Sequence, residues 1–354
     1  MKAVVCKGAG LLEVMEVPPP KVGEGEVLIR VMAASLCGTD LRILEFGHRK
    51  IPEGTARILG HEFSGVVEGI GPGVEGFWVG ERVAVAPNIG CGACEECVQG
   101  KANLCSQYKA LGISLEGAFA EWVCIPARAV LQGNIVRLPE AISFEEAALI
   151  EPLSCVLHGL EACQIRYGDV LLIFGAGPIG LMHLMLGQIS GTRKVIVADV
   201  VAGRLSLATK LGAAVVLNSR ASDFKERVLS ETDGKGADVI VTACPIPEVQ
   251  ERALEMAAVE GRINFFAGLP QGQDTIQCKS NLIHYKNLKV TGVTGGSNIQ
   301  FRRALSLGAS KRIDLHRLIS HTFEIGQAKE AFAVAQRGEG LKVIIQPNPS
   351  RRSD

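Results

Sequence analysis

The sequence predicts an α/β protein in two parts: a doubly wound parallel sheet covered by helices, and a partly antiparallel β domain of barrel character. Three observations carry that prediction. Short β-branched runs divided by turn residues fill about the first 130 positions. Strand-like and helix-like segments then alternate through the middle of the chain. A glycine fingerprint, Gly175-Ala176-Gly177-Pro178-Ile179-Gly180, stands at the first strand-to-helix junction of that alternation.

In chain order, AVVC, EVLIRVMAAS, FSGVVEGIG, ERVAVAP and AEWVCIP read as short strands. The opening MKAVVCKGAGLLEV is interrupted at Lys7, too soon for a signal peptide. From Phe144 the pattern changes, and FEEAALIEPLSCVLHGLEACQI reads as one helical stretch. Strand–helix units follow: VLLIF with IGLMHLMLGQI, VIVAD with AGRLSLATKLG, VVLN with FKERVLSET, VIVTA with VQERALEMAAV, then RINFFA. Val170 to Gly187 contains no Asp, Glu, Lys or Arg, but its glycines and Pro178 split it into a buried strand, a turn and a helix, which argues against a membrane span. Near the end, FRRALSLG and AKEAFAVAQRG read as helices and LKVIIQP as a closing strand, with NPSRRSD expected to fray. The implied domains are 151–290 for the parallel sheet, and 1–150 with 291–354 for the β domain, whose lobe 88–108 carries clustered cysteines.

At 354 residues the chain has room for two ordinary cores. Its 37 basic and 37 acidic side chains balance, so no charge footprint points to nucleic acid or an anionic membrane. The cysteines number 11, with four in metal-ligand spacing; reduced thiols in a cytoplasmic protein fit this better than a disulfide framework.

The motifs define the chemistry. Gly175, Gly177 and Gly180 follow a strand and open a helix, which suits a tight turn, close approach to a pyrophosphate and close helix–strand packing. The helix N-terminus, with Pro178 and Ile179 in its first turn, offers free N–H groups to phosphates. Asp199 ends the second strand, nineteen residues past Gly180, where a carboxylate accepts the ribose hydroxyls of NAD and repels the 2′-phosphate of NADP. Arg204 stacks on the adenine or is merely a solvated helix residue. Cys91, Cys94, Cys97 and Cys105 are spaced C-x2-C-x2-C-x7-C, which suits a closed tetrahedral structural zinc better than a redox pair or an iron–sulfur centre. A second group, Cys37, His61, Glu62 and Glu151, is expected where domains meet and supplies enough ligands for a zinc with an open position. Zinc with a nicotinamide dinucleotide describes a dehydrogenase.

At these residues the chain resembles the zinc-containing medium-chain alcohol dehydrogenases. The run GHEFSGVVEGIGPGV carries that family's zinc signature, and the likeness extends from AVVC through GERVAV, the cysteine lobe and GAGPIG to LKVIIQP. It implies a GroES-like catalytic domain beside a Rossmann domain, NAD, and two Zn2+ per chain. Cys37 and His61 are then ligands of the catalytic zinc and Glu62 the third. Glu151 is a fourth ligand exchanging with Glu62, or the partner of a zinc-bound water. Thr39 matches the family's hydroxyl relay. Glu151-Pro152 resembles the polyol and threonine dehydrogenase branches, whereas liver-type enzymes have cysteine there. Three departures stand out: Arg42 replaces the family's relay histidine, Ile43 replaces the sorbitol-type tyrosine, and Gly296 follows the run Thr291-Gly292-Val293-Thr294-Gly295 where threonine dehydrogenases have arginine. His48 is a candidate to finish the relay. Thr39, Arg42, His48, Glu116 and Asn298 are candidates to bind substrate hydroxyls. The expected substrate is a small polar secondary alcohol, most of all a polyol, with a threonine-like substrate or a non-catalytic structural role as alternatives. A homotetramer is the expected assembly.

Overall fold

In a computed structural model, which describes residues 1–348, the chain forms two compact units: Met1–Ser154 with the chain from Gly295 onward, and Cys155–Thr294.

The first unit is built on a sheet whose order is Ile135–Arg137, Arg82–Val85, Glu62–Ile70, Val27–Ser35, Lys342–Gln346, Ile319–Glu324, with Trp122–Ile125 also on Val27–Ser35. Val27–Ser35 alternates, burying Val27, Ile29, Val31 and Ala33 in the core with Phe63, Phe119 and Phe332. Its neighbours are antiparallel, except that Ile319–Glu324 runs parallel to Lys342–Gln346. The sequence ISHTFE alternates too weakly in hydrophobicity to announce this edge strand, and every second residue of it is exposed. Register positions the site: Ser35 pairs with Glu62 on one side and with Ile344 on the other. The residues just beyond these pairs, Cys37, His61 and Lys342, therefore meet at one corner.

The second unit has a six-stranded parallel sheet ordered Val215–Asn218, Lys194–Asp199, Val170–Phe174, Ala237–Thr242, Ala257–Asn264, Lys289–Thr291. The chain enters at Val170–Phe174, builds outward to one side, then returns to build the other. The crevice beyond the C-terminal ends at this reversal is where doubly wound sheets bind ligands.

Two boundaries differ from expectation. The stretch FEEAALIEPLSCVLHGLEACQI is two helices, Phe144–Ala148 and Ile150–Ala162. A reciprocal Ser143/Glu146 cap starts the first, and Pro152, which lacks an N–H, is tolerated in the first turn of the second. The strand expected at RINFFA begins earlier, at Ala257, and ends at Asn264. Of the run expected to fray, Asn348 is instead tied to the Val31 and Glu121 carbonyls, at 3.0 and 2.8 Å; the remainder lies outside the described residues. Among the described residues no helix is long and apolar enough to cross a membrane.

Candidate active site and metal centres

Cys37, His61 and Glu62 offer ligand atoms within 4.8 Å of one another. Cys37 caps the helix Gly38–Phe46, and His61 follows Gly60, whose φ of +94° is left-handed; a Cβ there would stand 2.9 Å from Phe119. Asp40, fully buried, ties the loops together: Oδ2 accepts from Cys37 N at 2.9 Å and Oδ1 from Gly60 N at 3.3 Å. The same Oδ1 faces His61 Nδ1 at 3.4 Å, the carboxylate–imidazole arrangement that leaves the other ring nitrogen for a metal. Burial works against charge on His61, but Asp40 and then Cys37 overcome it and hold the imidazole well above its usual range.

Glu62 is fully buried, and one oxygen is paired with the Lys342 ammonium, which also donates to Leu36 O at 3.1 Å. Burial opposes charge on Lys342, yet Glu62, Cys37 and Glu151 together keep it protonated and raise its pKa. Glu62 Oε1 is buried without a partner among the described residues. A soft thiolate, an imidazole nitrogen and a bare carboxylate oxygen at one point form a donor set that fits Zn2+ with a position left open.

Glu151 is not in the group within 4.8 Å, although it is buried in the first turn of Ile150–Ala162 and its charge is felt at Lys342. Thr39 is half-buried, and its Oγ1 accepts from Arg42 Nη2 at 3.3 Å. Two expected substrate contacts are committed elsewhere. Glu116 pairs with Arg57 at 2.7 Å and accepts from Ile58 N, while Asn298 donates to Gln132 O and Asn134 Oδ1.

The four sulfurs of Cys91, Cys94, Cys97 and Cys105 also lie within 4.8 Å of one another, with Cys91 and Cys97 at 4.0 Å. Thiolates on a tetrahedral zinc stand about 3.8 Å apart, so little movement is needed. Backbone N–H groups of Ala93 and Cys94 point at Cys91 Sγ and draw its thiol down to about 6. A Cβ on Gly90 would sit 2.3 Å from Cys97 Sγ, so glycine there is a condition of the cluster.

In the second unit, the fingerprint glycines have three separate duties. Gly175 turns at φ +100°, and a Cβ on Gly180 would come within 1.7 Å of Gly175 O. A Cβ on Gly177, which caps Pro178–Ile189, would meet nothing within 4 Å, leaving the space a pyrophosphate needs over the helix N-terminus. Ile179 lies in that first turn. Asp199 Oδ2 accepts from Ala176 N at 2.6 Å and Oδ1 from Val200 N and Val201 N at 2.7 and 2.8 Å. The carboxylate is thus fixed beside the glycine loop with acceptor sites left over. Arg204 stands in the following helix, Ala202–Lys210.

Sequence reasoning missed Asp40 and Lys342. A C-x-x-D spacing at a helix start was a usable signal for the first. Lys342 is 280 positions from Glu62 and gave none.

The alcohol dehydrogenase GroES-like domain model matches residues 23–139, and the zinc-binding dehydrogenase model matches residues 178–310. L-threonine 3-dehydrogenase of Pyrococcus horikoshii is 37% identical over 340 residues, 94% of each chain. Sorbitol dehydrogenase of Bacillus subtilis is 32% identical over 353 residues, 98% of each. A putative zinc-binding dehydrogenase of Sinorhizobium meliloti, solved bound to NADP, superposes with a TM-score of 0.90 at 30% identity, covering 98% of this chain and 99% of that one.

Proposed function

From the premise that this chain belongs to the zinc-containing medium-chain alcohol dehydrogenases, which use a nicotinamide dinucleotide, we propose that it oxidises a small polar secondary alcohol bearing a neighbouring hydroxyl, with NAD as acceptor. The observation that carries this is the Cys37–His61–Glu62 group with its bare, buried Glu62 Oε1. When bound, zinc supplies the Lewis acidity that acidifies the alcohol, and the nicotinamide takes the hydride.

The chain's own residues do the rest. Cys37, His61 and Glu62 hold the metal, with Asp40 fixing the His61 ring. Lys342 restrains Glu62 so that a position stays open for the alcohol oxygen. Thr39 Oγ1 would take the proton that the alcohol loses while its own hydroxyl proton passes on toward the cofactor ribose, so that the threonine stays neutral. Arg42, always charged, cannot pass it on as an imidazole would. Glu151, an oxygen ligand type in place of the liver-type cysteine, makes the surroundings harder and better suited to hydroxyl-rich substrates. Asp199 favours NAD over NADP because a 2′-phosphate would meet like charge. The four-cysteine lobe holds a second, structural zinc. By resemblance the assembly is a cytoplasmic homotetramer; light scattering at the monomer mass of 37.6 kDa would contradict the tetramer.

Threonine is the second reading, favoured by the Pyrococcus relative. Against it, the arginine of threonine dehydrogenases is replaced by Gly296, where a Cβ would stand 2.5 Å from Ser154 Oγ. NADH formation with sorbitol, 2,3-butanediol, threonine and ethanol tests both. Turnover of polyols or diols well above ethanol and threonine supports the first reading; efficient oxidation of ethanol alone sinks it.

A further inference from the structure

The helix Gly38–Phe46 that begins at Cys37 ends at Gly47, φ +74°, and is followed at once by His48-Arg49-Lys50. Arg42 lies one helical turn past Thr39 and donates to its hydroxyl at 3.3 Å. Lys50 is fixed, its Nζ 3.0 Å above the Tyr108 ring and donating to Tyr108 O at 2.9 Å, which leaves two N–H groups unspent. His48 Nδ1 accepts from Lys50 N at 3.1 Å, so the proton of the neutral ring sits on Nε2. Burial first, then the charges of Arg49, Lys50 and Arg42, hold that ring below its ordinary range; the three cations thus lie close enough to share a field.

No carboxylate answers that field. Among the described residues, Arg42, Arg49 and Lys50 form no ion pair. Of the acids on the same stretch of chain, Asp40 is committed to Cys37, Gly60 and His61, and the exposed Glu45 and Glu53 form no ion pair with these cations among the described residues. Arg42 and Arg49 are exposed, so their donors are free to take a ligand. Uncompensated charge of one sign beside a reacting group concentrates substrates of the other sign. We propose that these cations receive an anionic group carried by the substrate, a phosphate monoester or a carboxylate, and so narrow the substrate class to anionic secondary alcohols. This rests on the alcohol-oxidising reading above. Arg42 and Arg49 are the principal donors, since a guanidinium meets such groups with paired N–H bonds, and Lys50 adds charge from a fixed position.

The test compares matched substrates on the zinc-loaded enzyme with NAD: sorbitol against sorbitol 6-phosphate, and 2,3-butanediol against 3-hydroxybutyrate. The anionic member of at least one pair should have a kcat/KM about tenfold or more above its neutral partner, the size of one or two charge-assisted hydrogen bonds. The winning pair separates phosphate from carboxylate. Raised salt and Arg49→Gln should each shrink that ratio, and Arg49→Lys should restore part of it. Equal use of both members by the wild type overturns the proposal. So does an Arg49→Gln enzyme whose KM for NAD rises while the ratio stays put, because the cations would then serve the cofactor. Calorimetric binding of sorbitol 6-phosphate and 3-hydroxybutyrate to the enzyme–NADH complex covers the case in which no alcohol is oxidised. Binding of either that Arg49→Gln weakens about tenfold upholds the anion site while the alcohol reading fails. Binding that is absent for both, or unchanged in the variant, overturns the site itself.

Discussion

Asp40 shows how one residue sets two others. It binds the amide of Cys37 and faces the ring of His61, so both ligands inherit their positions from a carboxylate that is itself fully buried. Three donors around Cys37 would leave a bound zinc an open position, whereas four thiolates in the cysteine lobe would close one off. Two zinc ions of unequal lability are therefore expected. Brief treatment with a chelator should remove the metal at Cys37 and abolish turnover while far-UV circular dichroism stays unchanged; metal analysis finding one tightly held zinc and full activity would refute this. Cofactor choice also lies at this scale. Asp199, pinned by three amides, cannot swing aside to admit a 2′-phosphate. Asp199→Ser with Val200→Arg should narrow or reverse a strong NAD preference, measured as the ratio of kcat/KM for the two cofactors. Equal use of NADP by the wild type would remove the premise. The cysteine spacing and the Gly-His-Glu run were legible because metal ligands cluster locally. Lys342 was not, since only the pairing of Ser35 with both Glu62 and Ile344 brings it there.

At the scale of elements, hydrophobic period and turn residues made the parallel sheet readable strand by strand. VLLIF and VIVAD are buried on both faces and bounded by Gly or Asp, which leaves few other interpretations. The failures are instructive in the same terms. Ile319–Glu324 is an edge strand with one polar face, and the break at Leu149 comes just ahead of Pro152, which has no N–H to carry the first helix onward. The strand–turn–helix from Val170 to Ile189 is where sequence and function coincide most closely. A methyl group on Gly180 would lie 1.7 Å from a backbone carbonyl that has no freedom to retreat, because Gly175 N is itself bonded to Ala198 O at 2.7 Å. Gly180→Ala should therefore cost about 1–3 kcal/mol of stability by overpacking and weaken NADH binding roughly tenfold or more. Fluorescence titration with NADH measures the second effect. An unchanged affinity would mean that the glycine loop is not what holds the pyrophosphate.

For the whole molecule, acid tolerance is set in part by one side chain that no site uses. His183 lies within Pro178–Ile189, fully buried, edge-on to Phe266 with ring centroids 4.9 Å apart, and neither ring nitrogen has a partner among the described residues. Burial alone drives its pKa down from the ordinary histidine value to about 3. The folded protein therefore keeps this ring neutral where an unfolded chain would protonate it, below about pH 6.5. Since the folded pKa is the lower one, the unfolded state binds the extra proton. Stability is complete above about pH 6.5 and falls by about 1.4 kcal/mol per pH unit as the pH drops toward 3. Between pH 6.5 and 5 the loss from this residue alone is about 2 kcal/mol, large against the 5–15 kcal/mol that typically separates folded from unfolded states. Replacing His183 with Leu removes the titrating group and should flatten that slope, although lost ring packing lowers stability near neutrality. The probe must report the second unit, and both tryptophans, Trp78 and Trp122, belong to the first. Hydrogen exchange of the amides in Val170–Phe174 and Ala237–Thr242, followed at pH 6.5 and 5 at equal protein concentration, isolates it. Protection corrected for intrinsic exchange should fall more steeply in the wild type than in His183→Leu. Acid-driven loss of metal affects both proteins alike and cancels in the comparison. Parallel losses in the two would mean that His183 takes its proton inside the fold, or that the unit opens locally to admit it.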